Sequence, residues 1–421
     1  METPRKVSVN ITYARNSGDE TNINEYNEGF TYTDPASGES DTIDVVLADI
    51  NLRWADAWMP KKGDKLTAAI IQTSWNDPGK QLFFQCGEFC LDDLQFSGPD
   101  MTCSIGGVSV PEKIAFRSTE RNKTWDSATL KEIAQEIAGK YCLELDYTGS
   151  PIKLGILEQS KESDSSFLKK ICEDYGMAFK VYCGKIVIYD KQEFEAREPV
   201  AVLQRADLQK WSYSSTLVGT YTGATIKYTN GNDDSELTCV VGGGDRMLNI
   251  NEKVENLQEA QLKACAKVNA ENEKAETMTV TIMADTSIVA GSTVIVNGLY
   301  HMDGKYFVDK VIHNIKPEDA YTMELELHKC QERIVEASVM EIKEPLKQPA
   351  DSGGGGLTVG DKVIVNGPAY WNGNGEKSNQ CSGRVMYIVQ VNNEYKYPYG
   401  VSWHKDGARY GWCEESSLAK V

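Results

Sequence analysis

The sequence lacks the features that would place the chain in a membrane or mark it for export. None of its apolar runs approaches the roughly 18 residues that a membrane-spanning helix needs. The first residues, METPRKVSVNITYARNSGDE, contain no apolar signal-peptide core. The sequence therefore predicts a protein made in the cytoplasm, without Sec-type export and without a membrane segment.

Positive charge is also in short supply. The 421 residues include 44 Lys and Arg against 62 Asp and Glu, so the formal net charge is −18. Nucleic-acid-binding proteins usually present a basic surface that neutralises phosphates. The charge balance thus argues against specific nucleic-acid binding, because a surface of this sign repels DNA.

Motifs for catalysis and metal binding are missing as well. The sequence has no G-x-S-x-G or H-E-x-x-H, and the glycine-rich VVGGGDRM lacks the ending of a phosphate loop. Of the 11 cysteines, only Cys86 and Cys90 are close together, which is not the spacing of a zinc site. His301, Asp303 and His313 could be read as a metal trio, but no further ligand is near them. We predict no catalytic residue, no cofactor and no metal.

The chain divides into five segments that differ in residue pattern and composition. Two are β-rich, with alternating apolar residues between turn residues. A module with helical periodicity separates them, and a linker rich in proline, charge and glycine precedes a small β domain. The predicted boundaries are 1–110 (first β region), 111–200 (α+β module), 201–335 (second β region), 336–356 (linker) and 357–421 (C-terminal domain).

Residues 163–190, SDSSFLKKICEDYGMAFKVYCGKIVIYD, typify the module. Ser163 or Asp164 can cap a helix that Gly176 ends, and two alternating strands follow. A second helix lies in TWDSATLKEIAQEIAGKY, where Asp126 or Ser127 can act as the cap. The unit carries no evident chemistry, so we predict an architectural role.

A faint repeat connects the β segments. GDKLTAAI from residue 63, GSTVIVNG from 291 and GDKVIVNG from 360 each place a turn glycine before an alternating strand. A duplicated β-barrel explains the first two copies. Chance similarity between β-barrel turns explains them nearly as well.

Aromatic residues near turns distinguish the C-terminal domain. Tyr370, Trp371, Tyr399 and Trp403 are candidates for binding a glycan, peptide or partner protein by stacking. The alternative is that a domain of this size needs its large aromatics for its own core, with Trp412 as the first such residue.

Five stretches together resemble the baseplate hub family of contractile phage tails and phage-tail-like bacteriocins, also called late control protein D. They span residues 5–330 in the family's order: FTYTDPASGESDTIDVVLAD with RWADAWMPKKGDKL, FQCGEFCLDDLQFSGP, TWDSATLKEIAQEIAGKYCLELDY, ESDSSFLKKICEDYGMAFKV, and DGKYFVDKVIHNI with YTMELEL. The segment after Gly356 resembles bacterial SH3-like modules through GDKVIVNG and YGWCEESSL.

The resemblance implies a mainly β fold with an α+β insertion. Two tail-tube-like β-barrels would share one chain, followed by a small SH3-like barrel. Three chains would form a ring of six barrels, which seats a six-fold tube on a three-fold spike. The implied function is that of a structural, non-enzymatic hub whose acidic channel lets genome or tape-measure protein pass.

The implied partners are two further copies in a homotrimer, the tail-tube protein, the central spike protein, the tape-measure protein and other baseplate proteins. Peptidoglycan is a candidate ligand of the C-terminal domain. The implied location is the baseplate of a virion or bacteriocin particle. The alternative function is a tail-associated cell-wall hydrolase or wall-binding protein, although no recognisable Cys/His or Glu catalytic domain is present.

Overall fold

The structure is a computed structural model that forms two compact units, Met1–Pro345 and Leu346–Val421. Strands predominate, which confirms the mainly β fold class. Apart from Ala337–Ser338, the predicted linker lies outside the described residues. The described residues are 4–15, 18–109, 115–229, 236–252, 254, 256–317, 319–335, 337–338, 357–375, 378–381, 383–405 and 407–420.

The first β region is an antiparallel sheet in the order β3-β4-β7-β6-β5-β1-β2. Along these strands buried side chains alternate with exposed ones, because successive residues of a strand point to opposite faces. The strands are β1 (Lys6–Ala14), β2 (Glu20–Asn22), β3 (Asn27–Pro35), β4 (Thr42–Ala48), β5 (Lys65–Thr73), β6 (Gln81–Ser97) and β7 (Thr102–Val108).

The α+β elements that follow have a hydrophobic core of their own. Two small sheets, β8-β10 and β9-β12-β11, pack with helices α2 and α3. The elements are α1 (Ala115–Ser118), β8 (Glu120–Trp125), α2 (Leu130–Tyr141), β9 (Glu144–Thr148), β10 (Leu157–Ser163), α3 (Asp164–Asp174), β11 (Met177–Tyr182), β12 (Lys185–Asp190) and α4 (Lys191–Ala196).

The helix caps agree only in part with the prediction. Ser163 caps α3, as predicted, by accepting a hydrogen bond from the Ser166 N–H. Helix α2 is capped by Thr129 instead of Asp126 or Ser127. The Thr129 hydroxyl accepts from the Glu132 N–H, and the Glu132 carboxylate accepts from the Thr129 N–H at 2.8 Å.

The second β region divides between two sheets. β14, β18, β21, β20, β19 and β13 extend the sheet of the first region, whereas β17-β15-β16-β22 form a separate sheet that packs on α5. The elements are β13 (Ala201–Gln204), β14 (Leu208–Ser215), β15 (Gly223–Thr229), β16 (Glu236–Gly242), β17 (Met247–Ile250), α5 (Leu257–Asn272), β18 (Glu276–Met283), β19 (Thr293–Asn297), β20 (Gly304–Ile315), β21 (Thr322–Lys329) and β22 (Ala337–Ser338).

The two β regions repeat one strand order. β3-β4-β7-β6-β5 in the first region corresponds to β14-β18-β21-β20-β19 in the second. The bulges match as well. Glu28 bulges β3 where Gln209 bulges β14, and Asp92 bulges β6 where Asp309 bulges β20. Because a bulge shifts register at one defined place, its recurrence supports an internal duplication.

The repeated glycines explain part of this match. Gly63 and Gly291 both have positive φ, and each donates its N–H to a carbonyl beside the bulge, that of Leu91 or Val308, at 2.9 Å. Gly360 makes the same contact in the C-terminal unit, with a distance of 2.7 Å to the carbonyl oxygen of Ile388. The sequence repeat is thus a structural repeat, in which a left-handed turn residue fixes a bulge in the neighbouring strand.

The two β regions are joined edge to edge. The second half of β20 pairs with β3, from Lys310 opposite Pro35 to Ile315 opposite Phe30. Their buried side chains belong to one hydrophobic cluster. In the described residues the path through the sheet ends at β14 on one side and at β2 on the other.

The C-terminal unit is a single sheet in the order β25-β24-β28-β27-β26-β23-β29. Val363, Met386, Ile388 and Val401 are fully buried in its core. The SH3-like character of this unit stays a prediction. Its strands are β23 (Lys362–Val365), β24 (Pro368–Tyr370), β25 (Ser378–Gln380), β26 (Arg384–Val391), β27 (Tyr399–Ser402), β28 (Gly411–Cys413) and β29 (Leu418–Lys420).

Candidate functional site

The described residues contain no group of three or more His, Cys, Asp or Glu side chains placed to hold a metal ion. His313 is buried, with its Nδ1 2.7 Å from the Tyr321 hydroxyl, whereas Asp303 accepts a hydrogen bond from the Leu299 N–H. None of the helices in these residues is both long and apolar enough to cross a membrane. The polar features that stand out are two buried clusters where chain segments meet.

The first cluster, which we call the Lys180 cluster, consists of Lys180, Asp34, Asp41 and Tyr32. Lys180 on β11 contacts Asp34, and its Nζ lies 2.7 Å from Asp41 Oδ1. The Tyr32 hydroxyl donates to Asp41 Oδ2 at 2.6 Å, and the Ala290 N–H donates to Asp34 Oδ2 at 3.0 Å. Lys180, on the α+β elements, thus contacts two carboxylates of the first β region. One of them, Asp34, also accepts a hydrogen bond from the second β region.

Burial and charge oppose each other in the Lys180 cluster. Burial is the main reason why the pKa of Asp41 rises to about 6, although Lys180 works against the rise. Burial alone would lower the pKa of Lys180, but Asp34 and Asp41 outweigh it and raise that pKa. The ammonium group therefore stays charged, and it is what makes two buried carboxylates tolerable side by side.

Backbone contacts surround the Lys180 cluster. The Gly38 N–H donates to the Phe179 carbonyl at 2.8 Å, and the Phe179 N–H donates to Ser37 Oγ at 3.1 Å. The Tyr189 hydroxyl donates to the Ala36 carbonyl at 2.8 Å. The β3–β4 turn is therefore held by the hairpin of residues 177–190, the unit with an architectural role in the sequence prediction.

The second cluster, the His328 cluster, joins α4, α5 and the bulge of β20. His328 Nδ1 lies 2.8 Å from Asp309, and its Nε2 lies 3.2 Å from Glu195. Arg333 Nε donates to Glu195 at 3.0 Å, and Arg333 Nη2 donates to Glu273 at 2.8 Å. Both ring nitrogens of His328 thus face carboxylates, which favours the doubly protonated, charged form.

The pKa values in the His328 cluster follow from this geometry. Burial alone would lower the pKa of His328, but the hydrogen bonds to Asp309 and Glu195 outweigh it and raise the pKa to about 9. Burial alone would raise the pKa of Glu195, but His328 and Arg333 lower it to about 2. At neutral pH His328 and Glu195 are therefore both charged.

Among the open sheet edges of unit Met1–Pro345, two belong to β14 and β6. In the described residues β14 pairs with β18 alone, and no strand pairs with Asp93–Ser97 of β6 on the side where β5 pairs with its first half. Both edges carry exposed aromatic side chains, with Phe96 38% and Trp211 44% exposed. Open apolar edges of this kind are places where another chain can add strands.

The aromatic candidates of the C-terminal unit separate into two groups. Tyr399 is buried in the core cluster of the unit and is therefore not exposed near a turn as predicted. Trp412, which the sequence analysis names as the first core residue, is buried, and its ring packs edge-on against Tyr395 with centroids 4.9 Å apart. Trp371 and Trp403 are 64% and 43% exposed, and Tyr370 stacks on a neighbouring tyrosine with ring centroids 4.0 Å apart.

Comparison with known proteins yields a family model and two curated relatives. The model of a family described as YQBQ-like matches residues 123–328. The "Probable baseplate hub protein" of Escherichia phage P2 is 27% identical over 219 residues, which are 50% of this chain and 54% of that protein. The protein of the same name from Escherichia phage 186 is 26% identical over 209 residues, 48% of this chain and 51% of that protein. The chain spans about half the length of these curated relatives.

A solved structure shows the same kind of fold. The tail protein from Neisseria meningitidis MC58 matches with a TM-score of 0.58 at 15% identity, covering 76% of this chain and 97% of that chain. At this identity the match shows the fold alone. Together with the two curated relatives, it confirms the resemblance to baseplate hub proteins that the sequence indicates.

Proposed function

We propose that this chain, which resembles baseplate hub proteins in sequence and tail proteins in fold, is a structural hub of a contractile tail or tail-like bacteriocin. Three copies would assemble into a ring that joins the six-fold tail tube to the three-fold spike. The observation that carries the proposal is the repeated strand order with matching bulges. One chain with two equivalent β regions supplies two seats, and three chains supply six.

The two buried clusters support a load-bearing role. They tie the α+β elements to both β regions through charged hydrogen bonds, which are stronger and more directional than neutral ones. The Lys180 cluster fixes the β3–β4 turn beside the β3–β20 junction. A hub that transmits force needs its two seats at a fixed angle, and these contacts provide that constraint.

The solvent-facing side of the joined sheet supports a channel function. The charged side chains on it around the β3–β20 junction are mostly acidic, since every second residue of these strands points there: Asp44, Asp93, Lys210, Lys310, Glu324 and Glu326. Burial, followed by the charge of Asp93, raises the pKa of Asp44, as expected for carboxylates close together on one face. In a ring this face would line a lumen that does not retain DNA or tape-measure protein.

The partners proposed for this hub are the tail-tube protein, the central spike protein, the tape-measure protein and other baseplate proteins. Assembly would take place in the bacterial cytoplasm, and the mature position would be the baseplate of the particle. No catalytic role is part of the proposal.

The assembly is tested by native mass spectrometry of the purified full chain, with and without a central spike protein from the same genome. We expect a homotrimer that binds one spike trimer. A chain that stays monomeric at micromolar concentration and binds neither spike nor tube protein would contradict the proposal.

A second candidate function rests on the exposed aromatics of the C-terminal unit. Tyr370, Trp371 and Trp403 could stack on a cell-wall glycan or peptide, whereas the buried Tyr399 could only support them. The test is sedimentation of the full chain with murein sacculi, beside the variant Trp371→Ala. Loss of sedimentation in the variant alone would favour wall binding, and clearing of walls in a zymogram would favour the hydrolase alternative. As a hub, the chain is expected to stay in the supernatant and to leave walls intact.

A further inference from the structure

The junction between the two β regions within one chain is a template for a contact between chains. At this junction β3 pairs with the second half of β20, on the side of β20 that β19 occupies nearer its start. Under the internal duplication, β20 corresponds to β6 and β3 corresponds to β14. The equivalent contact would therefore join β6 to β14, and in the described residues each of these strands has an unpaired edge available for it.

Within one chain β6 and β14 cannot make this contact as neighbours. Six strands, β18, β21, β20, β3, β4 and β7, lie between them in the sheet. Two copies of the chain can make it, because the β14 edge of one copy is free to meet the β6 edge of the next. In a closed ring, each chain would pair its β14 edge with one neighbour and its β6 edge with the other.

The bulges define the register of the contact. Asp309 corresponds to Asp92, so Lys310 at the start of the in-chain ladder corresponds to Asp93. Glu28 corresponds to Gln209, so Tyr32 corresponds to Tyr213. Transfer of the in-chain register from β20 and β3 gives an antiparallel ladder that runs from Asp93 opposite Thr216, through Gln95 opposite Ser214, to Ser97 opposite Ser212.

Side-chain exposure agrees with this register. Phe96 corresponds to His313, and Trp211 corresponds to Phe30, both of which face the core at the in-chain junction. His313 is 0% and Phe30 2% exposed, whereas Phe96 is 38% and Trp211 44% exposed. A strand added at each open edge would cover Phe96 and Trp211, as β3 and β20 cover each other's side chains at the in-chain junction.

The transferred register also places two aromatic side chains opposite each other across the new contact. In the chain, His313 lies opposite Tyr32, and their rings stack with centroids 5.5 Å apart. The corresponding residues are Phe96 and Tyr213. Both are aromatic, so the transferred register places an aromatic pair within the ladder, and cross-strand pairs of this kind stabilise a sheet.

We infer that β14 of one copy adds to the Asp93–Ser97 edge of β6 in a second copy, in this register. The inference rests on the proposed trimer and names the surface through which it forms. It commits to a second copy of this chain as the occupant of both edges.

Disulfide trapping tests the register. In the double variant Gln95→Cys with Ser214→Cys, the two thiols would stand directly opposite each other, where Cα atoms lie about 4.5–5.5 Å apart and a disulfide can form. Both positions are exposed in the single chain, so the fold is unaffected. Under mild oxidation we expect most of the protein to run at three times the chain mass in a denaturing, non-reducing gel.

The matched control is Gln95→Cys with Ser212→Cys, which displaces one thiol by two residues along the strand to about 7–8 Å from its partner. Together with the wild type, it measures the cross-linking that arises from the 11 native cysteines. If the chain is trimeric but the control pair forms disulfides as efficiently as the test pair, or neither pair forms them, the register is overturned while the proposed trimer stands. A wild-type chain that is monomeric in native mass spectrometry would overturn both.

A charge variant gives an independent readout. Phe96→Asp places a carboxylate where the contact would bury it, so we expect the concentration for half-assembly to rise by about a hundredfold or more. Leu82→Asp on the same strand is the control, because Leu82 is 42% exposed and lies outside the Asp93–Ser97 edge. Equal assembly of Phe96→Asp and the wild type would overturn the inference.

Discussion

Replacing Lys180 with methionine is expected to destabilise unit Met1–Pro345 by about 3–5 kcal/mol at neutral pH, the usual cost of removing one partner from a buried ion cluster. The Lys180 ammonium is the cation that compensates Asp34 and Asp41, and Asp41 is fully buried. Methionine fills a similar volume, so the loss reports charge more than packing. Chemical denaturation followed by circular dichroism measures it.

The pH dependence identifies the cause of this loss. Without Lys180 the folded-state pKa of Asp41 must rise above its present value of about 6, so protonation relieves the uncompensated charge as the pH falls. The deficit of Lys180→Met relative to the wild type should therefore shrink between pH 7 and pH 5. A loss below about 1 kcal/mol at pH 7 would mean that the carboxylates are hydrated and the cluster carries little load.

Lys185→Met is the matched control for Lys180→Met. Lys185 lies on the adjacent strand β12, and its Nζ is 2.8 Å from Glu144, but both side chains are largely exposed. Ion pairs of this kind contribute about 0–1 kcal/mol. The two lysines thus share a hairpin and differ in burial, so a large difference between the variants isolates the effect of burial.

Local elements were predictable from the sequence because their signals are local. The apolar stripe and Ser163 cap of α3 and the hairpin after it occur as the 163–190 pattern indicates. The cap of α2 was not found, because Thr129 competes with Asp126 and Ser127, and the deciding contact is the reciprocal bond with Glu132. A capping-box search for Thr-x-x-Glu would have identified it.

Long-range features were not predictable from one sequence. The residue patterns of β15–β17 resemble those of the neighbouring strands. These three strands nevertheless lie in a separate sheet that packs on α5, and this difference depends on tertiary contacts. Neither Lys180 nor His328 stood out, since a buried charge has no local pattern. Each has a carboxylate partner more than 100 residues away along the chain, Asp34 for Lys180 and Glu195 for His328.

The internal repeat shows how far a single sequence can support a duplication. The turn glycines Gly63 and Gly291 were visible in the sequence, but chance similarity explained them nearly as well as duplication. Only the registers, with bulges at Asp92 and Asp309, distinguish duplication from coincidence. Strand pairing is a relation between distant segments, so a turn signal can mark the copies without proving that their ladders match.

His328 is expected to make the stability of unit Met1–Pro345 fall as the pH rises above neutrality. Its pKa is about 9 in the folded protein and close to 6.5 when unfolded, so its charge stabilises the fold fully below pH 6.5. The contribution disappears as the pH passes through 9, and the shift corresponds to about 3 kcal/mol. The charged groups that face the ring cluster are Asp309, Glu195 and, across Arg333, Glu273.

The variant His328→Gln isolates this effect from the other groups that titrate in alkali. In denaturation curves at pH 6, 8 and 10, we expect the wild type to exceed the variant most at pH 6 and the difference to narrow by about 3 kcal/mol by pH 10. His301→Gln, at an exposed position, is the control for replacing a histidine outside the His328 cluster. A difference between His328→Gln and the wild type that does not change with pH would mean that the imidazole is neutral in the folded protein, and that Glu195 is held by Arg333 alone.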